Sequence, residues 1–154
     1  MLHATIEVIN LFLAGLLAGE EFVIFYGVRP PLAALPDQPH IQLRQALIRR
    51  LRVLVPSIYM PTLFSGVAIL TLNTGPGLRL QVAGVIALLS WILITLFGTV
   101  PINKSILDWR PEAPPSGWQS VISRWVQLDR IRFWSAVIAF ALFLIAVAMQ
   151  LAGN

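Results

Sequence analysis

The 154-residue chain contains no cysteine. That excludes disulfides, thiolate metal centres and thiol redox chemistry. Histidine is scarce: His3 lies at the start of the chain and His40 in a connecting segment. No pair of membrane-embedded imidazoles is therefore available to ligate haem, copper or a di-iron centre. The methionines, at positions 1, 60 and 149, are too dispersed to form a thioether cluster. No Gly-rich phosphate loop and no Ser-His-Asp set can be found. The expectation is no metal site and no cofactor. Charge is also scarce, at 12% of residues against about 25% in a soluble domain. With 57% hydrophobic residues and a mean hydropathy of +0.79, the chain reads as one integral membrane domain spanning 1–154. The net charge of +4 does not signal nucleic acid, because the basic residues flank apolar segments and form no basic face.

What is present is four apolar runs, at about 5–28, 53–72, 80–100 and 131–151. Each has the roughly 20 residues that span a bilayer, and runs without alternation must be helices. The fold expected is all-α, a four-transmembrane-helix bundle. Amphipathic stretches at 40–52 and 118–128 predict short interfacial helices in the two inner loops, the first turning into or continuing as the second span. Arg29-Pro30-Pro31 predicts the end of the first helix, Gly98–Pro101 the end of the third, and Asn73-Thr74-Gly75-Pro76-Gly77 a tight outer turn.

Arg29, Arg44, Arg49, Arg50 and Arg52 lie between the first two helices. Lys104, Arg110, Arg124, Arg130 and Arg132 lie between the last two, and Arg79 alone is on the other side. The positive-inside rule then puts both termini outside, periplasmic in a bacterial inner membrane. The start, MLHATIE, lacks a basic leader, so the first helix is expected to remain in the mature protein.

The chain is organised around Leu11 to Leu32, where Glu20 and Glu21 sit near mid-membrane. An ionisable group at that depth costs roughly 2.5–3.5 kcal/mol, so it is turned inward, partnered or used. At 100° per residue Glu7, Ala14, Glu21 and Val28, with Asn10 beside them, form the most polar stripe, which predicts that Glu21 faces the bundle interior. Glu20 falls on the other flank and is expected to meet a neighbouring helix or another subunit. Gly15 and Gly19 form a small-xxx-small pattern that permits close helix approach. In the second helix Pro56 and Pro61, with Ser57, Tyr59, Thr62 and Ser65 nearby, predict a kink or a small polar cavity opposite the carboxylates. In the third, Trp91, Thr95, Thr99 and Asn103 recur every four residues. Asp129 is expected to pair with Arg130 or Arg132, or to cap the fourth helix. Trp118, Trp125 and Trp134 fit an aromatic belt, and Arg44, Arg49, Arg50 and Arg52 fit headgroup anchors or, for one of them, a partner of an acid at the site mouth.

The first helix's Gly-xxx-Gly pattern and Arg-Pro exit resemble the anthrone-oxygenase-like family of small four-helix membrane proteins. So do the TVPINKSILDW stretch (99–109) and the Trp125–Asp129–Arg132 entry to the fourth helix. The resemblance covers nearly the whole chain, although the Glu20–Glu21 pair lies outside it. It implies oxidation of a phenolic or quinone-type, lipophilic aromatic substrate by molecular oxygen without metal or flavin. It places Asn103, Trp125, Asp129 and Arg132 at recurring positions of the family. On this reading Glu21 is the base, and Asn103 with Arg132 stabilises the developing enolate or phenolate. Glu20, Tyr26, Arg29, Tyr59, Thr95, Thr99, Trp125 and Asp129 line the substrate site.

The residues leave two other readings open. One is a non-catalytic accessory or assembly subunit, packed through Gly15/Gly19 or the Glu20 flank in a homo-oligomer or larger membrane complex. The other is proton or small-ion movement through Glu20 and Glu21. The partners expected are membrane lipids and a lipophilic small molecule or quinone.

Overall fold

The computed structural model describes residues 2–72, 75 and 77–152. Four helices, each long and apolar enough to cross a membrane, make up the fold: α1 (Leu2–Ala33), α2 (Asp37–Leu72), α3 (Leu78–Leu107) and α4 (Trp118–Ala152). No strand is formed among the described residues beyond a single bridge between Arg110 and Ala113. The pattern of burial is inside-out relative to a water-soluble bundle. Phe12, Phe64 and Phe97 are largely exposed, whereas Glu7, Asn10, Glu21, Gln81, Asp129 and Arg132 are buried. Apolar side chains face outward where lipid is the solvent, and polar groups find partners between helices. The chain is thus a multi-pass membrane protein.

All four helices outrun their apolar stretches. The residues at 40–52 and 118–128 are the first turns of α2 and α4: 40–52 continues as the second span, and 118–128 is likewise continuous with the fourth and not a separate interfacial helix. At 1.5 Å per residue, helices of 30–36 residues exceed a hydrocarbon core of about 30 Å by several turns. A small second core, with Ile41, Ile48, Ile106, Trp118 and Ile122, packs these extensions together.

Neither expected proline stop ends a helix. The chain widens into a π-helical turn at Val23–Val28 and at Thr95–Thr99, then resumes α-helix through Pro30-Pro31 to Ala33 and through Pro101 to Leu107. The signature bonds are i to i−5: Arg29 N–H donates to the Ile24 carbonyl, and Val100 N–H to the Thr95 carbonyl. A proline ring collides with the carbonyl four residues back, here Tyr26 and Phe97. A wider turn relieves the collision without ending the helix. Each π turn carries the glycine of a Gly-x-x-Pro sequence, Gly27–Pro30 or Gly98–Pro101, whose proline lies in the α-helix just beyond it. Asn73, Thr74 and Pro76 of the expected outer turn lie outside the described residues.

Up to Phe22 the buried residues of α1 are Glu7, Asn10, Ala14, Leu17, Ala18 and Glu21, which include the expected inward stripe apart from Val28, itself half-buried. The glycine pair is used differently from its motif. A Cβ on Gly15 would sit 3.2 Å from the Phe140 ring, whereas Gly19 has nothing within 4 Å and faces outward. The tightest approach to a ring is at Gly84 on α3, where a Cβ would lie 2.7 Å from Phe143 of α4. Gly84→Ala should therefore lower stability by about 1–3 kcal/mol through overpacking. Thermal unfolding in detergent checks this, and Phe143→Leu in the same chain should restore most of the loss.

Candidate active site

One cavity of about 220 Å³ opens among all four helices. It is lined by Glu20, Glu21, Arg29, Tyr59, Thr95, Thr99, Asn103, Trp125, Asp129 and Arg132, with apolar walls from residues such as Ile24, Leu51 and Val55. The residues come from helices far apart in sequence, and the two π turns aim them. In an α-helix a four-residue step drifts by about 40°. The looser π turn at Thr95–Thr99 takes back part of that drift, so Trp91, Thr95, Thr99 and Asn103 all reach the same space. The hydroxyls of Thr95 and Thr99 donate back to the carbonyls of Trp91 and Thr95, which accommodates them in an apolar helix.

The two carboxylates have opposite circumstances. Glu21 is only 1% exposed, and its Oε1 accepts from the indole Nε1–H of Trp91 at 2.8 Å and from Arg132 Nη2. The Arg132 guanidinium also lies over the Trp91 ring, 4.5 Å from its centroid. The other face of this assembly is Tyr59, stacked on Trp91 at 4.5 Å, whose hydroxyl donates to the Leu88 carbonyl. Glu21 is thus the hub of a locked network joining α1 to α3 and α4. Glu20 lines the same cavity, and its buried Oε2 has no hydrogen-bond partner. Glu20, half-buried on its own flank of α1, reaches the same cavity from beside Glu21.

Asp129 pairs across the cavity with Arg29, not with Arg130 or Arg132. The Arg29 Nη1 to Asp129 Oδ2 separation is 3.7 Å, beyond hydrogen-bond reach, and both atoms lack other hydrogen-bond partners. Asn103 accepts from the Trp125 indole at 2.9 Å, which leaves its amide protons to donate. Trp125 lines the cavity, whereas Trp118 is buried against His40 and only Trp134 is exposed.

Tyr26 is the one sequence-nominated residue that the structure keeps out of this cavity. It is 53% exposed and packs with Phe22, Phe25 and Phe133 beside a second pocket. The hydroxyls of α2 also divide. Asn10 of α1 donates to the Thr62 carbonyl and to Ser65 Oγ, away from the cavity. Only Pro56, Tyr59 and neighbouring apolar residues of this region reach it.

Sequence reasoning marks Trp91 only as a member of its helical series and does not choose among the arginines of 40–52. The signal for Trp91 is that spacing, four residues before Thr95. Arg44 resembles a headgroup anchor, yet it lies between Ile41 and Ile48 on the buried face of α2, and it lines the cavity.

A family model described as anthrone oxygenase matches residues 45–142. Comparison with curated proteins and with solved structures gave no match. The matched span brings Tyr59, Trp91, Asn103, Trp125, Asp129 and Arg132 to the cavity, and the unmatched α1 brings Glu20, Glu21 and Arg29.

Proposed function

The chain belongs to the anthrone oxygenase family, and on that premise we propose that it is a membrane oxygenase of lipophilic aromatic compounds with phenolic or quinone-type rings. The observation that carries this reading is the pairing, in one apolar-walled cavity, of an unpartnered carboxylate with amide and guanidinium donors. Such a cavity suits a flat apolar molecule bearing a few oxygens.

The reaction needs no bound cofactor if the substrate is a carbon acid. A base takes one proton from a CH₂ group flanked by aromatic rings and conjugated with a carbonyl. The resulting carbanion, delocalised as an enolate or phenolate, gives electrons to molecular oxygen and forms a C–O bond. The hydroperoxide then loses water and leaves a carbonyl. Overall, CH₂ and O₂ become C=O and H₂O.

We assign the base to Glu20, whose Oε2 has no competing donor. Glu21, the base expected from sequence, has its Oε1 occupied by two donors and serves to position Arg132 and Trp91. The free amide protons of Asn103 and the Arg132 guanidinium face the developing oxyanion, where preformed donors lower the barrier. Arg29, Asp129, Tyr59, Thr95, Thr99 and Trp125 shape and orient the substrate's polar edge. The Lys/Arg asymmetry supports an orientation with both termini outside and the cavity nearer the inner surface.

The test is oxygen uptake by the protein in lipid nanodiscs supplied with 1,8-dihydroxyanthrone. The expected result is anthraquinone formation well above spontaneous autoxidation, with one O₂ consumed per quinone formed. A rate equal to that of empty nanodiscs overturns the proposal for this substrate class.

A further inference from the structure

The charged groups around the cavity do not balance pairwise. Glu21 is matched by Arg132 and Asp129 by Arg29. Glu20 is left over as the acid, and two cations remain: Arg52, which is exposed, and Arg44, which is buried. Arg44 is 5% exposed, yet no carboxylate lies within ion-pair distance of it among the described residues. Its Nε donates to His40 Nε2 at 3.3 Å, and its guanidinium lies over the Trp125 ring, 4.8 Å from the centroid. Neither contact neutralises the charge. Asp129 acts on Arg44 through space but is already paired with Arg29. A buried cation with no carboxylate in contact is costly, and a guanidinium presents a fork of N–H groups matched to a carboxylate or phosphate.

The position of Arg44 indicates where the missing anion would sit. Arg44 and Arg29 belong to the walls of both the main cavity and the second pocket, which is lined also by Phe25, Tyr26 and His40. The second pocket reaches Pro30 and Ala33 at the end of α1, on the basic side of the bundle. The exposed Arg49 and Arg50 of the same helix are free to meet headgroups, whereas Arg44 is withdrawn between the two spaces.

We infer that Arg44, supported by Arg29 and His40, forms an anion subsite that takes a carboxylate carried by the aromatic substrate. This rests on the oxygenase reading and narrows it: the ring system lies in the main cavity with its reactive carbon towards Glu20, and an acidic substituent reaches Arg44. The preferred substrate is then an aromatic acid, with a neutral polycycle accepted at lower affinity. The same chemistry would also accept a lipid phosphate, and the experiment separates the two.

The protein is placed in phosphatidylcholine nanodiscs and titrated with 9-anthracenecarboxylate and with 9-anthracenemethanol. The two probes share one ring system and differ in charge. Tryptophan quenching reads binding, with affinities corrected for partition into empty nanodiscs. The expected result is about tenfold tighter binding of the carboxylate. Arg44→Gln should remove that preference and leave the alcohol's affinity unchanged, while Arg44→Lys, which keeps the charge but not the fork, should retain part of it. Equal affinities in the wild-type protein overturn the subsite and leave the aromatic-substrate reading standing. Failure of both probes to bind overturns both. The wild-type comparison needs no variant, so it decides the matter even if Arg44→Gln does not fold. In a further arm, phosphatidylglycerol, whose phosphate is not offset by the choline cation of phosphatidylcholine, replaces a tenth of the lipid. Persistence of the preference supports a substrate carboxylate, whereas its loss assigns Arg44 to a lipid phosphate and overturns the substrate assignment.

Discussion

Glu20→Gln should abolish anthrone oxidation while leaving the protein folded. The substitution keeps the size of the side chain and removes the proton acceptor. Proton abstraction by a positioned base contributes about 10²–10⁴-fold, and a loss in that range is expected in kcat. Little stability should change, because the buried Oε2 of Glu20 has no hydrogen bond to lose. The control is thermal unfolding of the purified variant alongside quinone formation at saturating substrate. Full turnover by Glu20→Gln would remove Glu20 as the base.

The neighbouring substitution should behave in the opposite way. Glu21→Ala removes the counter-charge of Arg132 and the acceptor of the Trp91 indole in one step. Breaking a buried ion pair from one side costs about 3–5 kcal/mol, because the remaining charge stays in low dielectric. The expected result is a large drop in melting temperature. Activity should fall as well, since Arg132 and Trp91 lose their fixed positions. Glu21→Leu combined with Arg132→Met removes both charges and should recover much of the stability, but not the activity. A Glu21→Ala protein as stable as the wild type would contradict the hub role. If Glu21→Gln were fully stable yet inactive while Glu20→Gln turned over, the base would be Glu21, the residue to which the polar stripe of α1 points.

These contrasting outcomes rest on a difference that adjacent residues do not reveal on a helical wheel. At 100° per residue Glu20 and Glu21 point to different flanks. The wheel correctly puts Glu21 on the inward stripe with Glu7, Asn10 and Ala14. It cannot show that α2 closes over the Glu20 flank as well, bringing Leu51, Val55 and Tyr59 to the same cavity. That depends on how neighbouring helices are arranged, and no local period carries the information.

The prolines show a second such boundary. Gly-x-x-Pro is legible at Gly27–Pro30 and at Gly98–Pro101, and a local rule reads each as a helix end. Tertiary packing overrides it. With Ile106 fully buried against Ile41, continuing the helix gains more than stopping, and the proline is absorbed by a π turn. The charged pairs are equally out of reach of a local rule. Asp129 has Arg130 and Arg132 beside it in sequence, yet it faces Arg29, a hundred residues away.

The sequence alone determined the properties that composition and runs of one character dictate. Long apolar stretches required four membrane helices, because a backbone in lipid must satisfy its own hydrogen bonds. The missing cysteines and the two separated histidines removed thiolate and bis-imidazole chemistry. The i, i+4 series on α3 pointed to most of one cavity wall. Only the tertiary structure decided which carboxylate is tied and which is unpartnered, and which arginine is buried without an acid. Those are properties of contacts between helices: the energy of a buried charge is set by the groups within a few ångströms of it, and sequence spacing does not measure that distance.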